Sequence, residues 1–465
     1  MIETSAPLEV LTVDGELPIT GSVVITGAGL GLPGKDRHVF DDGNVASILG
    51  GEMRIEPLPR ESRAGMLEKR ITRLVKSEAG AVMEDITDVD QVLKLAGQAG
   101  QFDLTADFGV PAERVDALDR STQLAMAAGI EALRDAGIPL VMSYRKTSKG
   151  TLLPNGWKLP ESLQDETGVV FCSAFPGLNR TLTEAEHYYQ MKLLENQLQS
   201  LKETAELVYA LNPTGQTELL NDLQRRILET EGQMAELDYH FDRRYIFRIL
   251  SMGHSQFAEY IGAKGPNTHV NAACATTTQG VCVAEDWIRT GRARRVIVIA
   301  GDDVTNNLLT PWIGSSLFAS GAATAEGDVR MAALPFDKRR NGLIMGMGAA
   351  ALVLESEDAA RERGVTGIGE ILSTVFANSA FHGTQLDVQH VSRVMDRLLT
   401  GAEKRFGIRR ETIADQTVFV SHETYTPARG GSASAEIHAL RDCFGEQACR
   451  VVIANTKGFT GHTMG

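Results

Sequence analysis

The chain is poor in every feature that would mark a secreted, membrane-spanning or nucleic-acid-binding protein. Its 465 residues include five cysteines, Cys172, Cys274, Cys282, Cys443 and Cys449. They are too few and too scattered for a disulfide framework or a paired-cysteine metal site. No apolar run approaches the roughly 18 residues needed to cross a bilayer. Met1-Ile-Glu-Thr-Ser5 has neither the basic nor the apolar stretch of a signal peptide. Positive charge is scarce too: 46 lysines and arginines against 60 acidic residues leave a formal charge of -14. Phosphate contacts need a basic surface, so the balance argues against nucleic acid as a partner. These absences predict a cytoplasmic chain without membrane insertion, and its 43 % hydrophobic content suffices for one large domain or two tightly joined halves.

What the chain does have is alternation. Val23-Val-Ile-Thr26 reads as a short apolar strand, residues 120–136 as a helix closed by Gly137, and Gly168-Val-Val-Phe-Cys172 and Arg295-Val-Ile-Val-Ile-Ala-Gly301 as further strands. Residues 349–355 and 367–373 add two more. Strands apolar on both faces and interleaved with helices predict an α/β layered fold.

Two stretches interrupt the alternation. Residues 144–156 read as a polar loop. From about 181 to 244, Leu194, Leu198, Leu201, Ala205 and Val208 recur at spacings of four and three, Asn212-Pro-Thr-Gly215 breaks the run, and Leu220, Leu223, Ile227, Met234 and Leu237 resume it. This pattern predicts a helical hairpin with an apolar seam. Its helices either bury each other's stripes or offer a docking surface to another protein. A third feature is a decoy: Gly29-Leu-Gly31-Leu-Pro-Gly34 matches the dinucleotide fingerprint, but the residues after it lack the periodic apolar face of a cofactor-bearing helix.

Chemistry concentrates around one thiol. Cys274 stands in Val270-Asn-Ala-Ala-Cys274-Ala-Thr-Thr-Thr-Gln, after a β-branched stretch and before a helix-like run from 279 to 288. A helix N-terminus carries partial positive charge, so the position predicts a thiol lowered toward neutrality and hence a nucleophile. Downstream, Val418-Phe-Val-Ser-His422-Glu-Thr-Tyr-Thr426 and Val451-Val-Ile-Ala-Asn-Thr-Lys457-Gly-Phe-Thr-Gly461-His462 each carry a histidine after a β-branched strand. A cysteine and two histidines at strand ends suit acyl-thioester chemistry, with the thiolate attacking a carbonyl and the imidazoles stabilising charge. Spacing alone leaves a cysteine hydrolase open.

Taken in order, Ser22-Val-Val-Ile-Thr-Gly-Ala-Gly, Leu118-Asp-Arg-Ser-Thr-Gln, Ala273-Cys274-Ala-Thr, Pro335-Phe-Asp-Lys-Arg-Arg-Asn-Gly, His422-Glu-Thr-Tyr-Thr-Pro and Lys457-Gly-Phe-Thr-Gly-His462-Thr-Met-Gly resemble the β-ketoacyl-acyl-carrier-protein synthases. The resemblance implies a thiolase-like α-β-α-β-α layered fold of two related halves, residues 1–366, which carry the helical insertion 181–244, and residues 367–465. It further implies an acyltransferase that performs a decarboxylative Claisen condensation in fatty-acid or polyketide synthesis. Cys274 would accept the acyl group, while His422 and His462, neutral with the proton on the ε nitrogen, would hold the malonyl thioester as its enolate forms. Lys457 would act by charge and Glu436 would support the network. The scheme needs no metal or organic cofactor, because the acyl groups ride on the phosphopantetheine of an acyl carrier protein. A homodimer paired near His269-Val-Asn-Ala272 is also implied.

Several residues depart from that pattern. Glu423 and Tyr425 replace the glycine and the small residue that usually follow the first histidine, and about three extra residues around Arg429-Gly-Gly431 lengthen the path to Glu436. A carboxylate beside His422 either raises the pKa of its imidazole or points to solvent. The departures leave an alternative: a condensation-incompetent ketosynthase-like module that binds a carrier or sets chain length. A thiolase, with Cys443 or Cys449 as a second cysteine, fits less well. Carrier proteins are acidic, so docking requires local basic clusters, for which 338–340 and Arg292, Arg294 and Arg295 are candidates. The resemblance also leads one to expect further strands after Gly465, as in a piece of a megasynthase with neighbouring domains. His254, His269 and His438 read as structural or surface histidines.

Overall fold

The computed structural model describes residues 21–77, 80–211, 217–380, 386–426 and 431–465. Its centre is a mixed sheet of β1 (Val23–Gly31), β2 (Glu56–Pro57), β3 (Leu95–Gly97), β4 (Thr167–Cys172), β5 (Asn267–Val270), β6 (Arg295–Asp303), β7 (Met345–Ser356) and β8 (Gly369–Glu370). Across the sheet the order is β8-β1-β7-β6-β4-β5, with β3 pairing to β7 and β2 lying beyond β3. β4 is parallel to both β5 and β6, whereas β7 runs antiparallel to β6 and β1. The carboxyl ends of β4, β5 and β6 therefore share one end of the sheet, and Cys274 follows β5 there.

The two-residue period of the strands divides their side chains between two helical layers. Val169, Phe171, Ile297 and Ile299 face helix α1 (Arg120–Asp135) through Leu124, Ala128 and Leu133. Val170, Cys172, Val296 and Val298 pack with Ala284 and Ile288 in one core cluster. Each of the valine, leucine, isoleucine and phenylalanine side chains among them is fully buried, a contribution of about 1.5–3 kcal/mol apiece. The first of the decoy glycines belongs to this packing. A Cβ on Gly29 would lie 2.3 Å from the Ala128 carbonyl oxygen, so β1 and α1 touch backbone to backbone.

Two elements differ from the sequence reading. The expected polar loop is a two-stranded ribbon, Val141–Lys146 against Leu152–Lys158, because Val141, Tyr144, Leu152 and Trp157 favour extended chain and Gly150, at φ +83°, supplies the turn. Of the strand expected over 367–373, only Gly369–Glu370 pairs, at the sheet edge beside β1.

The hairpin forms as expected from α2 (Leu178–Leu211) and α3 (Thr217–Leu237). Leu223 is buried in the seam, Leu194, Leu198, Leu201 and Ile227 are partly buried, and Lys202 bridges to Glu231 at 2.9 Å. The helix-breaking 212–215 segment lies outside the described residues, as does most of the extra stretch at 427–430. Beyond the central sheet, β9 (Val418–Val420) and β10 (Val452–Ala454) form a separate parallel pair, with Val418 opposite Val452.

The basic clusters do not form free patches. Arg295 is buried against Glu355 at 2.5 Å, and Arg294 meets Asp358 and Glu362 at 2.8 Å each. Arg339 meets Asp337 at 2.7 Å, and Arg340 meets Glu423 at 3.4 Å. Only Lys338 and Arg292 of the two clusters stay exposed without an ion pair among the described residues. Arg339 pairs within its own loop, whereas Arg294, Arg295 and Arg340 hold separate elements together, a use that sequence adjacency cannot reveal.

Candidate active site

β9 and β10 lie side by side, so the loops that leave them share one end: β9 runs into His422, and β10 into the short helix α6 (Lys457–Thr460). Ser421 N–H donates to the Ala454 carbonyl at 2.8 Å and extends the register by one step. After α6 the chain turns through Gly461 at φ +76° and ψ 179°, a conformation essentially reserved for glycine. His462 is then strapped onto β7 and the residue before it: its N–H donates to the Ile344 carbonyl and its carbonyl accepts from Gly346 N–H, both at 2.8 Å.

This strap delivers His462 to the nucleophile, with Nε2 3.1 Å from Cys274 Sγ. The thiol itself sits on a tight turn. Ala273 is held at φ +49°, its N–H donates to Asn271 Oδ1 at 3.2 Å, and its carbonyl accepts from Thr276 Oγ1 at 2.5 Å. His422 stands edge-on to His462 with ring centroids 5.6 Å apart. Lys457 Nζ lies 3.0 Å from both His422 Nδ1 and the His422 carbonyl. An ammonium only donates, so Nδ1 accepts and the neutral ring carries its proton on Nε2. Four residues separated by up to 188 positions thus form one chain of contacts, from Cys274 through His462 and His422 to Lys457.

The electrostatics correct one expectation. The helix after Cys274, α4 (Thr276–Arg289), begins two residues beyond the thiol, yet crowding by protein atoms pushes the Cys274 thiol above its ordinary value, and the Lys457 charge offsets this only in part. The residue as a whole remains exposed, so the thiol is desolvated without being sealed. Desolvation first, and the Lys457 charge second, push His422 down to about 4. The same causes hold the buried His462 well below its usual range, with His422 adding a small part. Both imidazoles are therefore neutral at pH 7. Burial also lowers Lys457, while Cys274, Glu436 and Glu423 pull it back up.

Neither fate foreseen for Glu423 occurs. Its carboxylate points inward, away from solvent, and it is not among the causes that shift His422. Tyr425 is buried among Ile55, Leu95, Ala332 and Ile344, with its backbone at φ +60°. Glu436 reaches the site through Ser421, whose Oγ donates to its Oε2 at 2.5 Å, and burial raises its carboxyl. Ser421 and Asn455 escaped the sequence reading. Ser421 Oγ accepts from Glu423 N–H at 2.9 Å, and Asn455 ties the Glu423 carbonyl to Gly458 N–H through bonds of 2.8 and 3.0 Å. Their signal was adjacency to the two catalytic-type motifs. Asp302, also missed, anchors the turn after β4, accepting from Ser173 Oγ at 2.7 Å and Ala174 N–H at 2.8 Å. His269 and His438 make only structural contacts, to the Ser173 and Ser434 carbonyls at 3.2 and 2.7 Å, and the half-buried His254 is lowered mainly by desolvation.

The family described as "Beta-ketoacyl synthase, N-terminal domain" matches residues 20–151 and 229–360, more than half of the chain. The chain belongs to the β-ketoacyl synthase family. The gap between the two matched segments takes in most of the hairpin, in keeping with an insertion. Curated relatives of this synthase-family chain include 3-oxoacyl-[acyl-carrier-protein] synthase 2 of Staphylococcus aureus, 32 % identical over 219 residues that cover 47 % of this chain and 51 % of the relative. The protein of the same name from Synechocystis sp. is 30 % identical over 219 residues, covering 47 % and 50 %. The chain spans about half the length of the curated relatives it matches. Among solved structures, a β-ketoacyl synthase from Burkholderia phymatum shares the fold at a TM-score of 0.61 and 20 % identity, over 96 % of this chain and 83 % of that one. A type II polyketide synthase acyl-carrier protein in complex with its ketosynthase gives 0.58 and 19 % over the same shares. The layered ketosynthase fold expected from the motifs is the fold of this chain.

Proposed function

We propose that this family member is a condensing β-ketoacyl synthase. The observation that carries the reading is the convergence of Cys274, His462, His422 and Lys457 within hydrogen-bonding or ring-contact distance. In the first half-reaction the Cys274 sulfur attacks an acyl thioester, the bond to the carrier sulfur breaks, and the thiol proton ends on the departing carrier thiol. A raised thiol beside a neutral imidazole suits this exchange, because His462 can pass the proton without holding it. In the second, a malonyl thioester loses carbon dioxide, and its enolate carbon attacks the acyl-Cys274 carbonyl, giving the β-ketoacyl thioester and freeing the sulfur. The enolate oxygen would accept hydrogen bonds from the two imidazoles, His422 through Nε2–H. Lys457 acts by charge and by fixing the His422 tautomer, and Glu436 acts through Ser421. The reaction so written uses no metal or organic cofactor, with both acyl groups on carrier phosphopantetheine.

An acidic acyl carrier protein or carrier domain is the partner this chemistry calls for, in a megasynthase or as a separate protein. β5 ends the sheet, and its free edge among the described residues supports pairing with a second copy, a homodimer through the strand that leads to Cys274. We assign residues 367–465 to the second half of the synthase and the whole to the cytoplasm; no helix among the described residues is long and apolar enough to cross a membrane. Against the alternative of a carrier-binding module that cannot condense stands the placement of Glu423, which leaves His422 a neutral donor.

The test is an intact-mass assay with an acyl pantetheine thioester, followed by malonyl-carrier turnover. A condensing synthase acquires one acyl group on Cys274 and then releases carbon dioxide and a β-ketoacyl product. Carrier binding without acylation would favour the non-condensing module, and hydrolysis of the acyl thioester would favour a cysteine hydrolase.

A further inference from the structure

Directly after His422 stands a carboxylate that is 0 % exposed. A buried charge persists only where donors surround it, and those around Glu423 come from three segments. Oε2 accepts from Ser432 Oγ at 2.6 Å and Ala433 N–H at 2.7 Å, both in the first turn of α5 (Gly431–Phe444). Oε1 accepts from Tyr425 N–H at 3.1 Å in its own loop and faces Arg340 Nε at 3.4 Å. Arg340 is itself fixed within the 335–342 loop by donating to the Asp337 carbonyl at 3.0 Å. That loop is joined a second time, where Gly342 N–H donates to the Tyr425 carbonyl at 3.0 Å. The main chain of Glu423 is also held at both ends, by Ser421 and Asn455.

The consequence falls on the preceding residue. His422 meets Lys457 through its ring nitrogen and its carbonyl, both at 3.0 Å, so the imidazole is aligned only while this stretch of backbone stays within a few tenths of an ångström. Glu423 is the side chain that joins this stretch to α5 and to the 335–342 loop at once. We propose that Glu423, braced by Arg340, is a positioning residue that fixes the His422 imidazole against Lys457; the assignment rests on the condensing role given to His422 above. A residue that only stabilises the fold would affect both half-reactions alike. A residue that aims His422 affects the half-reaction in which His422 takes part.

The test compares Glu423→Ala, Glu423→Gln and Arg340→Met in the full chain, with three readouts: Cys274 acylation by an acyl pantetheine thioester, carbon dioxide release from malonyl-pantetheine, and the NMR titration of His422, identified through His422→Asn. With Glu423→Ala, carbon dioxide release should fall by about 10²-fold, the cost of an ångström-scale misplacement, while acylation falls far less. The His422 midpoint should climb from about 4 toward the ordinary histidine value as the ring leaves Lys457. Glu423→Gln, which retains an oxygen for the α5 donors, should recover part of both effects, and Arg340→Met should show them more weakly. Equal losses of acylation and carbon dioxide release in the alanine and glutamine variants, with the His422 midpoint unmoved, would overturn the proposal and leave Glu423 a purely structural residue. Should the unmodified chain release no carbon dioxide, the condensing reading falls, and the His422 titration still decides whether Glu423 positions the ring.

Discussion

Replacing Gly461 with alanine tests the strap that brings His462 to Cys274. The residue sits at φ +76° and ψ 179°, where an L side chain costs about 1–3 kcal/mol. Its Cβ would also lie 2.5 Å from the Met345 carbonyl oxygen and 2.9 Å from its carbon, both backbone atoms of β7 that cannot rotate away. Relief requires the strap to lift by nearly an ångström. That movement breaks at least one of the 2.8 Å bonds joining His462 to Ile344 and Gly346, each worth about 1 kcal/mol. Together these effects predict a stability loss of about 3 kcal/mol in urea titration. They also predict a fall of about 10²-fold in malonyl decarboxylation, because His462 leaves its 3.1 Å contact with the thiol. Gly458→Ala is the control: its nearest neighbour would be a Pro335 ring carbon at 3.5 Å, ordinary contact, and its effect should stay below about 1 kcal/mol. A Gly461→Ala protein that unfolds with the wild type and decarboxylates within threefold of it would refute the strap as the determinant of His462 placement.

Among the five cysteines, Cys172, Cys282 and Cys443 are buried, and burial pushes Cys172 up to about 12 and Cys443 up to about 11, so alkylation of the folded chain should be confined to Cys274 and the exposed Cys449. An acyl thioester should modify Cys274 alone, as read by peptide mapping, and equal acylation of Cys449 would remove the catalytic distinction. Lys457→Met removes the smaller of two causes that disfavour the His422 imidazolium, so its NMR midpoint should rise above about 4 yet remain below 6.5, while Cys274 alkylation slows because the thiol loses the Lys457 charge that favours its thiolate. An unmoved midpoint would contradict the Nδ1 contact. Both active-site histidines titrate lower folded than unfolded, so the unfolded chain binds protons first, and their contribution to stability should be complete above about pH 6.5 and decline on acidification toward pH 4. Replacing residues 194–237 with a short Gly/Ser linker should leave the thermal transition of the remainder nearly unchanged, since the seam residues mainly bury one another; a collapsed transition would show that the hairpin supports the core.

The sequence alone was sufficient for whatever depends on local pattern. Runs of β-branched residues located β4 and β6, because a strand buried on both faces must be apolar at every position. Seam spacing located the hairpin, because two helices can bury stripes only at intervals of three and four. Ordered motifs located Cys274, His422, Lys457 and His462, whose residue types the chemistry requires. Where partners are distant in sequence, pattern was silent or misleading. Arg294 and Arg295 read as a basic patch until Glu355 on the neighbouring strand β7, and Asp358 and Glu362 just beyond its end, neutralised them. Cys274 read as an activated thiol because a helix follows it, but its ionisation depends on the protein that crowds the sulfur and on Lys457, 183 residues further along by numbering. Glu423 read either as a disturbance to its neighbour His422 or as a solvated carboxylate, whereas a side chain follows its best donors, and those lie in α5 and on Arg340. Hydrophobic periodicity is written in neighbouring residues, but charge compensation, desolvation and the aim of an imidazole are set by atoms that only the folded chain brings together.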